Sequence, residues 1–308
     1  MIIKKVNVLV LFLGFVSSMF AQGTNEKYPE LDQEFKYNKS TKKDYLVTIS
    51  TKEGDMQLVL YDETIEHKKN FIKLASVGFY DSTAFHRVIN EFMIQGGDPN
   101  SKGDNSAVYG TGGPGYTVPA EFNAKYIHKK GALAAARTGG SGNPEKRSSG
   151  SQFYIVHGKK ASADELRSQQ ERSQKGLFFE AVKELLSKPE NSTDLDQVVN
   201  FQAEGNQEAL DSIIAIYTPE AEEMIAGKYV NYTEEQLEIY SNIGGVPFLD
   251  MEYTVYGEVV KGLDVIDKLA TVEVTGRSNS LPKEKLEMTV KVELLKKKKI
   301  TKLTGYKY

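Results

Sequence analysis

The period of the apolar residues changes twice along the chain, and this change constrains the fold more than any other feature. Residues 45–51 and 56–61 alternate apolar and polar positions around Lys52-Glu53-Gly54-Asp55, the pattern of a β-hairpin. Residues 64–78 shift to helical spacing. Thr64 stands at the N-cap position, Ile65, Phe71, Ile72, Leu74, Ala75 and Val77 supply an apolar side, and Gly78 is a stop. From 84 to 158, short β-like runs such as Phe92-Met93-Ile94, Gly131-Ala132-Leu133-Ala134 and Phe153-Tyr154-Ile155-Val156 alternate with glycine-rich loops. The strand signal returns at 253–260 and at 285–295, with a short helix predicted over 263–269. Between these β-rich stretches, 159–246 has helical spacing at Leu177, Phe178, Ala181, Val182, Leu185 and Leu186, and again at Leu210, Ile213, Ile214 and Tyr217. Thr218-Pro219 predicts a helix start with proline in its first turn. Thr233-Glu234-Glu235-Gln236 is a capping-box pattern, and Gly244-Gly245 ends the run.

The interrupting segment is also the acidic one. It holds 17 Asp and Glu against 8 Lys and Arg, a net charge of −9 in a chain whose total is −3. The organisation expected is therefore a discontinuous β-rich unit, 45–158 and 247–296, carrying an acidic helical insertion at 159–246. Hydrophobic residues at 40% suffice for a core. A slightly negative chain is not a dedicated nucleic-acid binder, which would be basic. The absence of cysteine excludes disulfides, thiol nucleophiles and thiolate zinc sites. The four histidines, His67, His86, His128 and His157, share no i, i+4 spacing, so no metal centre is expected.

The first 21 residues read as an export signal. Lys4 and Lys5 precede an apolar run from Val8 to Val16, and Ala21 stands at the cleavage point. That run is shorter than the roughly 20 residues a membrane-spanning helix needs. The mature chain is expected to be exported, periplasmic or secreted, without a membrane span. Residues 22–44 read as a polar arm, and 297–308, opening on a lysine run, as a solvated basic tail.

Gly110-Thr111-Gly112-Gly113-Pro114-Gly115 satisfies G-x-G-x-x-G literally, but Pro114 and the following Tyr116-Thr117-Val118-Pro119 prevent the helix a dinucleotide loop must open. No cofactor is expected. The chemistry concentrates in Phe85-His86-Arg87-Val88-Ile89-Asn90-Glu91-Phe92-Met93-Ile94-Gln95-Gly96-Gly97-Asp98-Pro99. Strand alternation separates Phe92 and Ile94 from Met93 and Gln95, and a bend can return Phe92 and Met93 to one surface. Two readings stand. Either Arg87 pairs with a carboxylate and the apolar residues are core, or a guanidinium borders an apolar cup suited to a ring-shaped side chain and a carbonyl oxygen.

This stretch resembles the signature of the cyclophilin family of peptidyl-prolyl cis-trans isomerases, and further matches follow in family order. They are Gly110 to Tyr116 with Pro119-Ala120-Glu121-Phe122, Gly131 to Arg137, Gly150-Ser151-Gln152-Phe153-Tyr154-Ile155, Phe248-Leu249-Asp250, and Val255-Tyr256-Gly257-Glu258-Val259. The resemblance implies a mainly β fold: an eight-stranded antiparallel barrel capped by two helices, packed inside, with its site on the outer face and an α-helical subdomain inserted. It implies Arg87 as the catalytic arginine and Phe92, Met93 and Leu249 as the proline pocket. Gln95 and Gln152 would position the substrate backbone. Ala136 and Arg137 would form an edge that hydrogen-bonds the peptide through main-chain groups. Tyr154 stands where the family usually has phenylalanine, Phe248 where many members have tryptophan, Tyr253 where they have histidine, and Arg137 where they have asparagine. His86 would be structural.

The implied activity is rotation of X-Pro bonds in unfolded or proline-containing polypeptides, assisting the folding of exported proteins without metal or cofactor. The alternative is a non-catalytic chaperone or scaffold on the same barrel. The insertion would emerge at the pocket rim as a helical decoration, an acidic lid over unfolded chains, or a dimer contact.

Overall fold

The computed structural model describes residues 28, 31, 35–276 and 278–308; the expected export signal and part of the arm lie outside the described residues. The hairpin forms as β1 (Lys43–Thr51) and β2 (Gly54–Leu60), followed by α1 (Ile65–Ser76), β3 (Thr83–Ala84), β4 (Arg87–Ile89) and β5 (Met93–Gly96). Next come β6 (Thr117–Val118), β7 (Ala132–Ala135), β8 (Ser148–Ser149) and β9 (Phe153–Val156). The helices α2 (Ala163–Leu186), α3 (Ser192–Glu204), α4 (Gln207–Ile225) and α5 (Glu234–Asn242) interrupt the strands. The chain then returns through β10 (Val255–Lys261), α6 (Leu263–Ala270), β11 (Val274–Thr275), β12 (Leu281–Pro282) and β13 (Glu287–Lys296) to α7 (Lys297–Thr304).

Nine strands form one antiparallel sheet in the order β3-β13-β1-β2-β10-β7-β9-β5-β4. Its two edge strands are consecutive, separated by Phe85 and His86 alone. Phe85 N–H donates to Leu286 on one side (2.9 Å) and His86 N–H to Gln95 on the other (3.0 Å). The run 83–89 is thus one broken strand that touches both edges. Counted so, the sheet closes as the eight-stranded barrel that the family resemblance implied. A barrel of this size has room inside for side chains only. Alternation fills it: Met56, Leu58 and Leu60 of β2, Leu133 and Ala135 of β7, and Phe153 and Ile155 of β9 all enter one core. The helices α1 and α6, close to the spans predicted, pack Phe71, Ile72, Ile266 and Leu269 against the same core.

Four local expectations are corrected. Thr64 occupies the N-cap of α1 but makes no side-chain cap; Glu121, from the Pro119-Ala120-Glu121-Phe122 motif, accepts from Glu66 N–H (3.1 Å) and His67 N–H (2.9 Å) instead. Pro219 does not start a helix but lies inside α4. Tyr217, Ala221 and Ile225 on that helix share a buried cluster with α2, and this tertiary packing outweighs the local break. The basic tail is not simply solvated. It opens as α7, whose Ile300 is buried against Leu46 and Val59 on the outer barrel wall while Lys298 and Lys299 remain exposed. In the described part of the arm, Leu31 is buried in the barrel core and Tyr28 meets Phe79 edge to face; aromatic anchors, sparse in a polar stretch, dock it.

The insertion has two apolar clusters. A distal one joins α2, α3 and α4 through Ala181, Leu185, Val198 and Tyr217. A root joins Leu166 of α2 and Leu237 and Tyr240 of α5 to Ile127 of the barrel unit. At the root Gly245 bridges to both Lys129 and Lys159, and a Cβ there would stand 2.3 Å from the His128 carbonyl oxygen. Among the described residues no helix is long and apolar enough to cross a membrane.

Candidate active site

The outer face of β5, β7 and β9 carries the side chains the interior does not take. Met93, Ala132, Ala134, Tyr154 and Val156 form a second apolar cluster with Val246 and Leu249, and Phe92 and Tyr253 pack at its margin. The bend that brings Phe92 beside Met93 is real: Glu91 adopts φ 58° and Phe92 N–H donates to Ile89 (3.1 Å). Ile94, between Met93 and Gln95, points into the barrel core. Phe248, 61% exposed, stacks on Phe92 at 5.8 Å and extends this surface outward.

Arg87 borders the cup, its guanidinium carbon 5.8 Å from the centre of the Phe92 ring. Register opposes it to Gln95, and Nη1 donates to Gln95 Oε1 (3.2 Å). Gln95 Nε2 donates to Gln152 Oε1 (3.1 Å), and Gln152 Nε2 donates to the Gly110 and Gly112 carbonyls (3.0 and 2.7 Å). The glycine-rich loop rejected as a nucleotide site is therefore the anchor of an amide relay that ends on the arginine. Among the described residues no carboxylate pairs with Arg87. Burial lowers its pKa below the ordinary 12.5. A guanidinium so placed stays charged. His86 is buried, and desolvation pushes its pKa down, so a neutral ring sits beside the cation.

The peptide edge needs one correction. Ala136 N–H donates to Gln152 O (3.0 Å) and Ala136 O accepts from Ser149 N–H (2.7 Å), so its main-chain groups are already used to hold β8 and the Gln152 turn. The main-chain groups of Arg137 have no backbone partner among the described residues. The Arg137 side chain turns away: its Nε donates to Glu252 O (3.0 Å), Nη2 pairs with the Glu252 carboxylate (3.1 Å), and the guanidinium lies over the Tyr253 ring at 4.4 Å. A groove of about 970 Å³ adjoins the edge, lined by Gln95, Gly112, Arg137, Arg147 and Gln152 among others.

The hydroxyl that distinguishes Tyr154 from the family's usual phenylalanine lies 2.9 Å from His128 Nε2, and His128 Nδ1 lies 2.7 Å from Asp250 Oδ1. Sequence reading did not single out His128 or Asp250 for the site. The signal was the extra hydroxyl itself, which in a buried position requires a partner.

The structure thus brings together an apolar cup, a guanidinium with no carboxylate partner among the described residues at its rim, and a relay of neutral amides. The family model described as cyclophilin type peptidyl-prolyl cis-trans isomerase/CLD matches residues 46–182 and 228–293. The chain belongs to this family of isomerases. A putative peptidyl-prolyl cis-trans isomerase of Staphylococcus epidermidis is 27% identical over 249 residues, 80% of this chain and 89% of that protein. A peptidyl-prolyl cis-trans isomerase of Synechococcus elongatus is 40% identical over 110 residues, 35% of this chain and 66% of its own length. Among solved structures, a Cryptosporidium parvum cyclophilin type isomerase aligns with a TM-score of 0.47 at 18% identity, covering 82% of this chain and 98% of that one. The family match omits 183–227, the distal part of the insertion, and includes its root.

Proposed function

We propose that Arg87 carries the isomerisation and that the substrates are X-Pro bonds in unfolded exported proteins. Rotation about a peptide C–N bond costs about 18–20 kcal/mol because resonance must be broken. As the bond twists, the proline nitrogen becomes pyramidal and regains a lone pair, and charge on the carbonyl oxygen changes. Arg87 donates a hydrogen bond to that nitrogen and can hold the oxygen, while Phe92, Met93 and Leu249 grip the ring. Lowering the barrier by about 7 kcal/mol accelerates exchange roughly 10⁵-fold. Gln95 orients Arg87 and Gln152 orients Gln95; Arg137 offers main-chain groups to the peptide. Tyr154, Phe248 and Tyr253 keep the surface aromatic. The observation that carries this reading is the guanidinium held by an amide rather than by a carboxylate, which leaves its charge for the substrate.

The N-terminal Lys4-Lys5, the apolar run and Ala21 support export, so the clients would be chains folding outside the cytoplasm. Two measurements test this. Fractionation of cells making the full chain should find a shortened protein outside the cytoplasm, and the purified protein should speed refolding of a substrate whose slow step is prolyl isomerisation. A full-length protein in the cytoplasm would overturn the export reading, and an unchanged refolding rate would overturn the folding role.

A further inference from the structure

The carboxylate of Asp250 is the point where the insertion meets the isomerase site. Its Oδ1 accepts from the His128 backbone N–H (2.8 Å) and from His128 Nδ1 (2.7 Å); its Oδ2 accepts from the hydroxyls of Tyr232 (2.8 Å) and Tyr240 (2.6 Å). The Asp250 side chain is 2% exposed and the His128 ring fully buried. Burial raises the pKa of the Tyr154, Tyr232 and Tyr240 phenols, so all three stay protonated and donate. His128 Nδ1 faces the Asp250 carboxylate and Nε2 faces the Tyr154 hydroxyl at 2.9 Å, so the ring links the two directly. One carboxylate therefore orders two parts of the proline pocket. It follows Leu249 of the pocket wall directly, at the end of the tight turn Pro247–Leu249, and it reaches Tyr154 in the floor through His128.

Both phenols come from the root of the insertion. Tyr240 lies on α5 and Tyr232 just before it, and their rings meet edge to face at 5.8 Å. Without them Oδ2 of a buried carboxylate has no donor among the described residues, and the carboxylate must turn toward another, carrying Leu249 and the His128 ring with it.

We infer that Tyr232 and Tyr240 are positioning residues of the isomerase site, holding Asp250 so that Leu249 and Tyr154 shape the proline pocket. This rests on the reading of the Phe92, Met93 and Leu249 surface as that pocket. The effect falls on substrate binding, because the pocket grips the ring in ground state and transition state alike.

The test uses the full chain, its Tyr232→Phe and Tyr240→Phe variants and the double variant, each also in a Tyr154→Phe background. A coupled isomerisation assay on a short X-Pro peptide gives kcat and KM, NMR titration of the same peptide gives Kd, and thermal melting monitors folding. In the double variant, KM and Kd should rise about three- to tenfold with kcat within about twofold. In the Tyr154→Phe background the same pair of substitutions should raise them less. A purely structural role would lower Tm and leave KM and Kd unchanged, and that result would overturn the inference. Equal fold-changes in both backgrounds would overturn the path through Tyr154. Should the double variant not fold, Tyr232→Phe alone, at the more exposed position, reads the same Kd shift. A wild-type protein that binds the peptide but does not accelerate exchange would sink the catalytic reading, while the Kd comparison still decides this one.

Discussion

Nη1 of Arg87 lies 3.2 Å from Oε1 of Gln95, and no carboxylate among the described residues competes for that guanidinium. The pairing is a neutral amide on a charged donor, so it orients the arginine without neutralising it. Gln95 is in turn held by Gln152 at 3.1 Å. Gln95→Leu keeps the volume and removes both links. Isomerisation should fall about tenfold, chiefly in kcat, as the arginine loses its aim. An unchanged kcat in the coupled assay would show that Arg87 is oriented by something else.

Activity and stability should respond differently to pH. Arg87 stays cationic throughout, and no group at the site needs to exchange a proton, so kcat/KM should be flat from about pH 6 to about pH 9. Stability should not be flat. Desolvation lowers the pKa of His86 in the fold, whereas the unfolded chain titrates near 6.5. Below that value the unfolded state binds a proton that the folded state refuses. The His86 contribution is therefore complete above about pH 6.5 and is lost as pH falls toward the depressed folded value. His157 is shifted in the same direction, again first by burial. Melting curves between about pH 5 and 7.5 should show Tm falling with acid, and His86→Gln should flatten part of the fall. A His86→Gln slope equal to wild type would contradict the assignment.

Phe248 is largely solvent-exposed yet stacks on Phe92. Phe248→Ala removes little buried area, so stability should change by less than about 1 kcal/mol. The loss should appear in substrate binding, as a KM raised several-fold. Unaltered peptide kinetics would place Phe248 outside the substrate's path.

The distal helices can be separated from the root. Excising 183–227 with a short flexible linker spares Tyr232, Tyr240 and the family-matched segment. Peptide turnover should then stay within about twofold of wild type. Catalysed refolding of an unfolded protein should slow if the acidic surface recruits clients. Equal effects on the two substrates would remove a separate recruiting role.

Gly245 marks where the insertion re-enters the barrel. A Cβ there would stand 2.3 Å from the His128 carbonyl oxygen and 2.4 Å from Tyr240 Cε1. Gly245→Ala should cost about 1–3 kcal/mol and weaken peptide binding together with it, because both contacts belong to the Asp250 network. A stable variant with wild-type KM would mean that the root can shift without disturbing the pocket.

The strands of the β-rich unit were legible because they alternate between two faces that are both buried near the site, whereas their closure into a barrel was implied only by the resemblance to a known family. Met93 and Ile94, or Tyr154 and Ile155, sort to opposite clusters as strand geometry requires. Ordered motifs named Phe92, Met93 and Leu249, which the structure brings into one apolar cluster. What escaped were partnerships between distant segments. Nothing near Thr64 announces that Glu121, 57 positions on, caps its helix, and nothing near Pro219 reveals the packing that carries α4 through it. His128, Asp250, Tyr232 and Tyr240 converge from three segments, and the Tyr154 hydroxyl was the one local hint that such a partner had to exist.

Whether Arg87 lowers the rotational barrier of an X-Pro bond is decided by a protease-coupled assay on a short X-Pro peptide, comparing the chain 22–308 with the same chain carrying Arg87→Ala. Exchange should be rapid with Arg87 and about 10²- to 10³-fold slower in the variant, with peptide binding largely kept. Equal acceleration by both proteins, or none by either, would contradict that role of Arg87.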